Sequence, residues 1–204
     1  MSFFENTKKP AGLGGSIMVS MMNMGHRALA DWGFSYLPLA PDAAVLDCDC
    51  GGGANLEALL KRCPGGTVTG LDYSPVSVKK SQSVNQAAIQ AGRCTILQGN
   101  VMALPFEPER FDVVTAFETV YFWPDLAQSF REIHRVLKPQ GKFFLCNECS
   151  GKTQQEKKWT DIIDGMTIYS SAELQALLES AGFHALDVQQ NDKGWLCILA
   201  EKND

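Results

Sequence analysis

Residues 47–53, "DCDCGGG", decide how this chain is to be read. They follow the apolar pair Val45-Leu46 and lead into "NLEALLKRC" at 55–63. An apolar strand, an acid, a glycine cluster and then a helix is how many nucleotide-type cofactor sites begin. Glycines let the backbone turn tightly and let a ligand come close to it. A helix N-terminus beyond the turn presents unpaired N–H groups.

Outward from this turn, strand and helix patterns alternate. "AAVLDC" (43–48) predicts a short apolar strand, and residues 55–63 a helix stopped by "PGG". "TVTGLD" (67–72) is a second strand. Ser74-Pro75 then starts a helix, with serine as N-cap and proline at the first helical position. Its buried side is expected to carry Val76, Val84, Ala87, Ala88 and Ala91, with Gly92 ending it. Strands follow at "CTILQG" (94–99) and "FDVVTAF" (111–117). A helix over 124–137 shows Leu126, Phe130, Ile133 and Leu137 on one face, "KPQG" breaks it, and "KFFLCNE" (142–148) is the next strand. Ser170 and Glu173 form a capping box before the last helix. "FHALDVQQ" and "GWLCILAEK" are joined too tightly for a parallel crossover, so they pair as an antiparallel hairpin.

Repeated strand–helix units predict an α/β fold, a Rossmann-like doubly wound sheet that is mainly parallel and closes with an antiparallel hairpin. In such sheets ligands bind beyond the carboxyl ends of the strands. N-terminal to it, residues 1–38 are expected to form an arm and a helix over 16–37. Ile17, Met21, Met24, Ala28 and Trp32 would be its apolar stripe, and its methionines suit an adaptable lid. Residues 39–204 form the main domain, and the polar stretch 150–168 is a candidate for a small cap.

Composition narrows the function. The 204 residues are 45% hydrophobic and 20% charged, with a net charge of −5 and a pI of about 5.2. That balance offers no electrostatic footprint for nucleic acid. No apolar run is long enough for a membrane span, and the N-terminus has no signal-peptide core. Seven cysteines, an odd number without scaffold spacing, point to free thiols in the cytoplasm. A zinc reading of Cys48, Cys50, Cys146 and Cys149 fails on distance. The strand order implied by the family resemblance given next separates the two pairs by two strand spacings, ~10 Å, against a Zn–S distance of ~2.3 Å. No metal is expected.

A pyrophosphate site would need G-x-G-x-x-G/A. From Gly51 the third position is Leu56, and from Asp49 the first glycine is missing. The segment "VLDCDCGGG" resembles instead the first motif of the class I S-adenosylmethionine-dependent methyltransferases. Further matches are "GLDYSPVSV" (70–78), "QGNVMALPFEPERFDVV" (98–114) and "FREIHRVLKPQGKFFLCNE" (130–148), and together they cover roughly residues 40–200. The resemblance implies seven strands in the order 3-2-1-4-5-7-6 and S-adenosylmethionine as cofactor. It places Asp47, Asp49, Cys50, Gly51 and Gly53 along the methionine part. Asp72 takes the ribose hydroxyls, and Tyr73 lies against the adenine. Asn100 stands where the family usually has aspartate and accepts from the adenine amine, with Val101 and Met102 lining that pocket. Phe117 and Glu118 face the methyl-transfer region, where Glu118, Tyr121 and His26 are the candidate proton-handling groups. The implied substrate is a small molecule; nothing in the chain sets the oligomeric state. Asp49 is the departure. A carboxylate close to the cofactor's own carboxylate is expected to weaken binding without abolishing it. It therefore also admits a rival reading, a cofactor-binding protein without turnover. A nicotinamide-dependent oxidoreductase is a further alternative that lacks its phosphate turn.

Overall fold

The computed structural model describes residues 26–152 and 156–203. Seven strands form a single sheet: β1 (Ala44–Cys48), β2 (Thr67–Asp72), β3 (Cys94–Gln98), β4 (Phe111–Phe117), β5 (Leu137–Asn147), β6 (Phe183–Gln190) and β7 (Leu196–Lys202). Their order is β3-β2-β1-β4-β5-β7-β6, as the sequence predicts. The first five strands run parallel, and β7 pairs antiparallel with both β5 and β6. The order reverses at β1, which lies between β2 and β4. A crevice opens at such a reversal because the connections leave β1 and β4 toward opposite faces.

The helices are α1 (Arg27–Phe34), α2 (Ala54–Arg62), α3 (Pro75–Val84), α4 (Gln86–Gln90), α5 (Leu126–Val136), α6 (Lys157–Ile162) and α7 (Ser171–Ser180). Alternation along the strands splits the core in two. Leu46, Cys48, Val114, Ala116, Phe143 and Leu145 face one side, where Phe130 and Ile133 of α5 and Leu174 and Leu178 of α7 cover them. Val45, Val113, Phe117, Phe144 and Cys146 face the other, under Leu29 and Phe34 of α1 and Leu56 and Leu59 of α2. Fully burying one such phenylalanine contributes about 1.5–3 kcal/mol. Cys48 and Cys146 therefore lie on opposite faces of the sheet.

Local chemistry sets the helix starts. Ser74 Oγ accepts from Ser77 N–H, Asp125 from Gln128 N–H at 2.8 Å, and Ser170 and Glu173 close the expected capping box. These bonds satisfy donors that a helix N-terminus leaves open.

Three expectations need correction. α1 does not bury Ala28 and Trp32 as its apolar stripe. It buries Leu29, Ala30, Gly33 and Phe34, a face rotated by about one position, while Ala28 is exposed and Trp32 half-buried. The rest of that stripe, Ile17, Met21 and Met24, lies outside the described residues. The helix after Ser74 is two helices divided at Asn85, and its buried side is polar. Ser77, Ser81 and Asn85 are buried, whereas Val84, Ala87 and Ala91 are exposed. The partner of this face is the glycine turn, whose backbone wants hydrogen bonds and close approach rather than methyl groups. Finally, "KPQG" does not end the pairing: β5 begins at Leu137, with a register shift opposite Phe111–Val113 and Gln140 at φ 59°.

Candidate functional site

A cleft of about 880 Å³ lies at the carboxyl ends of β1, β2 and β4. α1 covers one side of it with Ala30 and Phe34, and the residue before that helix, His26, reaches in as well.

The turn after β1 forms its floor. Gly51 has φ 52° and Gly53 φ 82°, a region that L-residues with a Cβ enter at a cost. The two glycines serve different ends. A Cβ on Gly53 would stand 2.4 Å from Ser81 Oγ and 2.6 Å from Asn85 Nδ2, so this glycine lets α3 press against the turn. Asn85 Nδ2 then donates to the Gly53 carbonyl at 3.0 Å. A Cβ on Gly51 would meet no protein atom within 4 Å, because it would project into the cleft. The space a side chain would fill at residue 51 is left for a ligand.

Asp72 ends β2. Its Oδ2 accepts from Gly51 N–H and its Oδ1 from Ser74 N–H, both at 2.8 Å. The Ser77 side chain bonds it as well, so the carboxylate is fixed at the cleft wall and keeps lone-pair capacity for a hydroxyl. Burial pushes its pKa up to about 6. Asp47 stands behind the turn rather than on the cleft wall. It is buried, with Thr115 donating to Oδ1 at 2.6 Å and Oδ2 without a hydrogen-bond partner. Burial raises its pKa to about 7, and the nearby Asp49 and Asp72 add to the effect. Cys50 lines the cleft and has its thiol near Ser81 Oγ at 3.8 Å; burial pushes that thiol up.

Asp49 has φ 54°. Its Oδ2 accepts from the Thr119 hydroxyl at 2.7 Å and from the Trp123 indole N–H, and the Tyr73 backbone N–H also favours its anion. Burial raises its pKa and these three donors oppose the rise. One side chain thus fastens the ends of β1, β2 and β4 together. Thr119 and Trp123 lie 70 and 74 residues further along the chain.

Beyond β2 the cleft is lined by Tyr73, which is 52% exposed, together with Asn100, Val101 and Met102. Asn100 Oδ1 accepts from Met102 N–H at 2.9 Å, which fixes the amide and leaves its carbonyl a second lone pair.

At the other end stands Glu118, at φ 60° just after β4, with Phe117 beside it on the cleft wall. Glu118 Oε1 accepts from Tyr121 OH at 3.0 Å and from Glu148 N–H, while Oε2 faces His26 Nε2 at 4.0 Å. Burial pushes Glu118 up to about 8, with the charge of Glu148 adding to it. Burial also lowers the pKa of His26, so its imidazole is held neutral. Tyr121 lies behind Glu118 rather than on the cleft wall, and its hydroxyl accepts from Cys149 N–H at 2.9 Å. His26, Glu118 and Glu148 bring donor atoms within 4.8 Å of one another. Glu118 Oε1 already holds two donors, so the buried acid keeps one oxygen for a proton or a cation.

The structure thus gathers His26, Asp49, Cys50, Gly51, Asp72, Tyr73, Asn100, Val101, Met102, Phe117 and Glu118 around the cleft. Asp47, Gly53 and Tyr121 support it from behind. Sequence reasoning missed Thr119 and Ser77 on the wall. For Thr119 the missing signal was the need of a half-buried Asp49 for donors.

The family model described as "Methyltransferase domain" matches residues 46–145. A demethylmenaquinone methyltransferase of Lactiplantibacillus plantarum is 37% identical over 139 residues, 67% of this chain and 58% of that protein. A botryococcene C-methyltransferase of Botryococcus braunii is 34% identical over 114 residues, 56% of this chain and 30% of that protein. The chain thus spans little more than half of the first of these relatives and under a third of the second. Among solved structures, a putative methyltransferase in complex with the Haloferax volcanii Trm112 activator superposes with a TM-score of 0.82 at 23% identity, covering 92% of this chain and 94% of that one. A putative sarcosine dimethylglycine methyltransferase of Galdieria sulphuraria gives 0.76 at 20% identity, covering 86% and 85%. At these identities the superpositions speak for the fold.

Proposed function

The chain belongs to the class I S-adenosylmethionine-dependent methyltransferases, and from that premise we propose that it transfers a methyl group to a small-molecule acceptor held between α1 and the loop after β4. The observation that carries this reading is the cleft itself. A backbone-anchored Asp72 stands at one end, a turn emptied of side chain at Gly51 lies in the middle, and a buried Glu118 stands at the other end.

The residues present fit the cofactor. Asp72 would hold the ribose diol, Tyr73, Asn100, Val101 and Met102 the adenine, and Asp49 to Gly51 the methionine part. When bound, S-adenosylmethionine supplies a methyl group activated by its sulfonium. The protein then needs only to align the acceptor and manage its proton. Phe34, Phe117 and Phe122 offer the acceptor an apolar wall. Glu118 Oε2 takes the acceptor's proton, with His26 beside it. Tyr121 and the Glu148 backbone N–H hold the carboxyl in place. α1 acts as the lid.

The small-molecule class is supported by the relatives' names, which include a demethylmenaquinone methyltransferase and a cycloartenol-C-24-methyltransferase. It also fits a net charge of −5. Seven free, buried thiols suit a cytoplasmic setting. No helix of the described residues is long and apolar enough to cross a membrane.

Titration calorimetry with S-adenosylhomocysteine on wild type and Asp72→Ala tests the cofactor site: the wild type binds and the variant loses at least about tenfold, roughly 1.4 kcal/mol. Equal binding by both refutes the placement. Methyl transfer from labelled cofactor across a panel of small acceptors tests turnover. Binding without any transfer favours a regulatory protein instead.

A further inference from the structure

A carboxylate in a cofactor turn is expensive unless something cationic faces it. Here three acids stand together at the ends of β1 and β2: Asp47 and Asp72 are buried, Asp49 is half-buried on the cleft wall, and its charge bears on the other two. Among the described residues none of them forms an ion pair with a lysine, arginine or histidine. The cations of the cleft sit on its outer lip and are engaged there. Arg27 lies 3.9 Å from Asp31, Lys61 lies 2.7 Å from Glu57, and Arg62 covers the Phe34 ring at 4.6 Å. On the acceptor side the nearest ionisable group is Glu118, also acidic.

We propose that Asp49 is a specificity-determining residue that makes the cleft favour the charged cofactor over its neutral product. The inference rests on the cofactor reading above. A molecule laid from Asp72 to Glu118 must pass Asp49, because that side chain bridges the β1 turn to Thr119 and Trp123 in the loop after β4. S-adenosylmethionine carries a sulfonium and an α-ammonium against one carboxylate, a net charge of +1. S-adenosylhomocysteine keeps the ammonium and the carboxylate but has a thioether, a net charge of 0. An anion that hydrogen bonds hold in place distinguishes the two. Bound to Thr119 and Trp123, it cannot swing away from the ligand. The consequence is weak product inhibition.

Asp49→Asn isolates the charge, because the amide oxygen still accepts from Thr119 and Trp123. Calorimetric titration of both ligands should show that this substitution weakens S-adenosylmethionine about fivefold or more relative to S-adenosylhomocysteine, about 1 kcal/mol of selectivity. Equal effects on both ligands, or none, overturn the proposal and leave Asp49 a structural tie. A second measurement needs no variant. Sinefungin, whose amine replaces the sulfonium methyl, should bind wild type more tightly than S-adenosylhomocysteine does, as should S-adenosylmethionine. Wild type that binds S-adenosylhomocysteine as tightly as the two cations also overturns it. Wild type that binds none of the three removes the methyltransferase reading as well, so the two failures are distinct.

Discussion

Glu118→Gln should raise stability, by an amount that grows as pH climbs from 5 to 8. Glu118 is buried beside β4 and held near pKa 8, against an ordinary 4.5. The unfolded chain therefore releases this proton near pH 4.5, while the folded chain keeps it until about pH 8. Between those values the folded state binds the extra proton, so stability falls as pH rises. At 1.36 kcal/mol per pH unit, the full interval corresponds to roughly 4–5 kcal/mol, complete above pH 8. Glutamine keeps an oxygen for Tyr121 OH and Glu148 N–H but has no charge to bury. The assay is urea unfolding of wild type and variant from pH 5 to pH 8.5. The two should agree near pH 5 and separate by several kcal/mol at pH 8.5, with the variant the more stable. Asp47 and Asp72 also lose stability over part of this range, but they are common to both proteins and cancel. Parallel curves would refute a buried, proton-holding Glu118.

Four other outcomes follow from the same geometry. With cofactor and acceptor saturating, the methyl-transfer rate should climb with pH around a midpoint near 8, as Glu118 becomes a base, and Glu118→Gln should lose that limb. Gly53→Ala should cost about 2–4 kcal/mol in urea unfolding, from positive φ and the clash with Ser81. Gly51→Ala should cost about 1 kcal/mol and act mainly on cofactor affinity, because its methyl enters the cleft. S-adenosylmethionine affinity should rise from pH 5.5 to 8, since a cation favours ionised Asp72, near 6, and Asp47, near 7; calorimetry in buffers of different ionisation enthalpy should detect proton release.

Much of the sheet was legible because its cause is local. β-branched runs such as "FDVVTAF", caps such as Ser74 and Ser170, and a connector of Asn191 to Lys193 each announce an element within a few residues. The face of α3 was not legible, because apolar periodicity sees only apolar partners. Ser77, Ser81 and Asn85 recur every four residues, but they face the Asp72 carboxylate and the glycine turn, which leave no trace in a hydrophobic pattern. The role of Asp49 was hidden for another reason. In sequence it is a repulsive charge in a glycine's place. Its donors, Thr119 and Trp123, become neighbours only when β4 pairs beside β1. Tyr121 was singled out beside Glu118, but its support of Cys149 N–H required the fold.

All seven thiols are buried, on both faces of the sheet and in the turn, and burial raises the pKa of every one. Alkylating reagents attack thiolates, so the native protein is chemically quiet toward them. Any labelling must then wait for an opening event. The set is a built-in clock: Cys48 and Cys146 time the breaking of the central sheet, Cys50 the release of the cofactor turn, and Cys197 the detachment of the hairpin. Peptide-resolved labelling rates, with and without ligand, would show which parts of the molecule the cofactor holds shut.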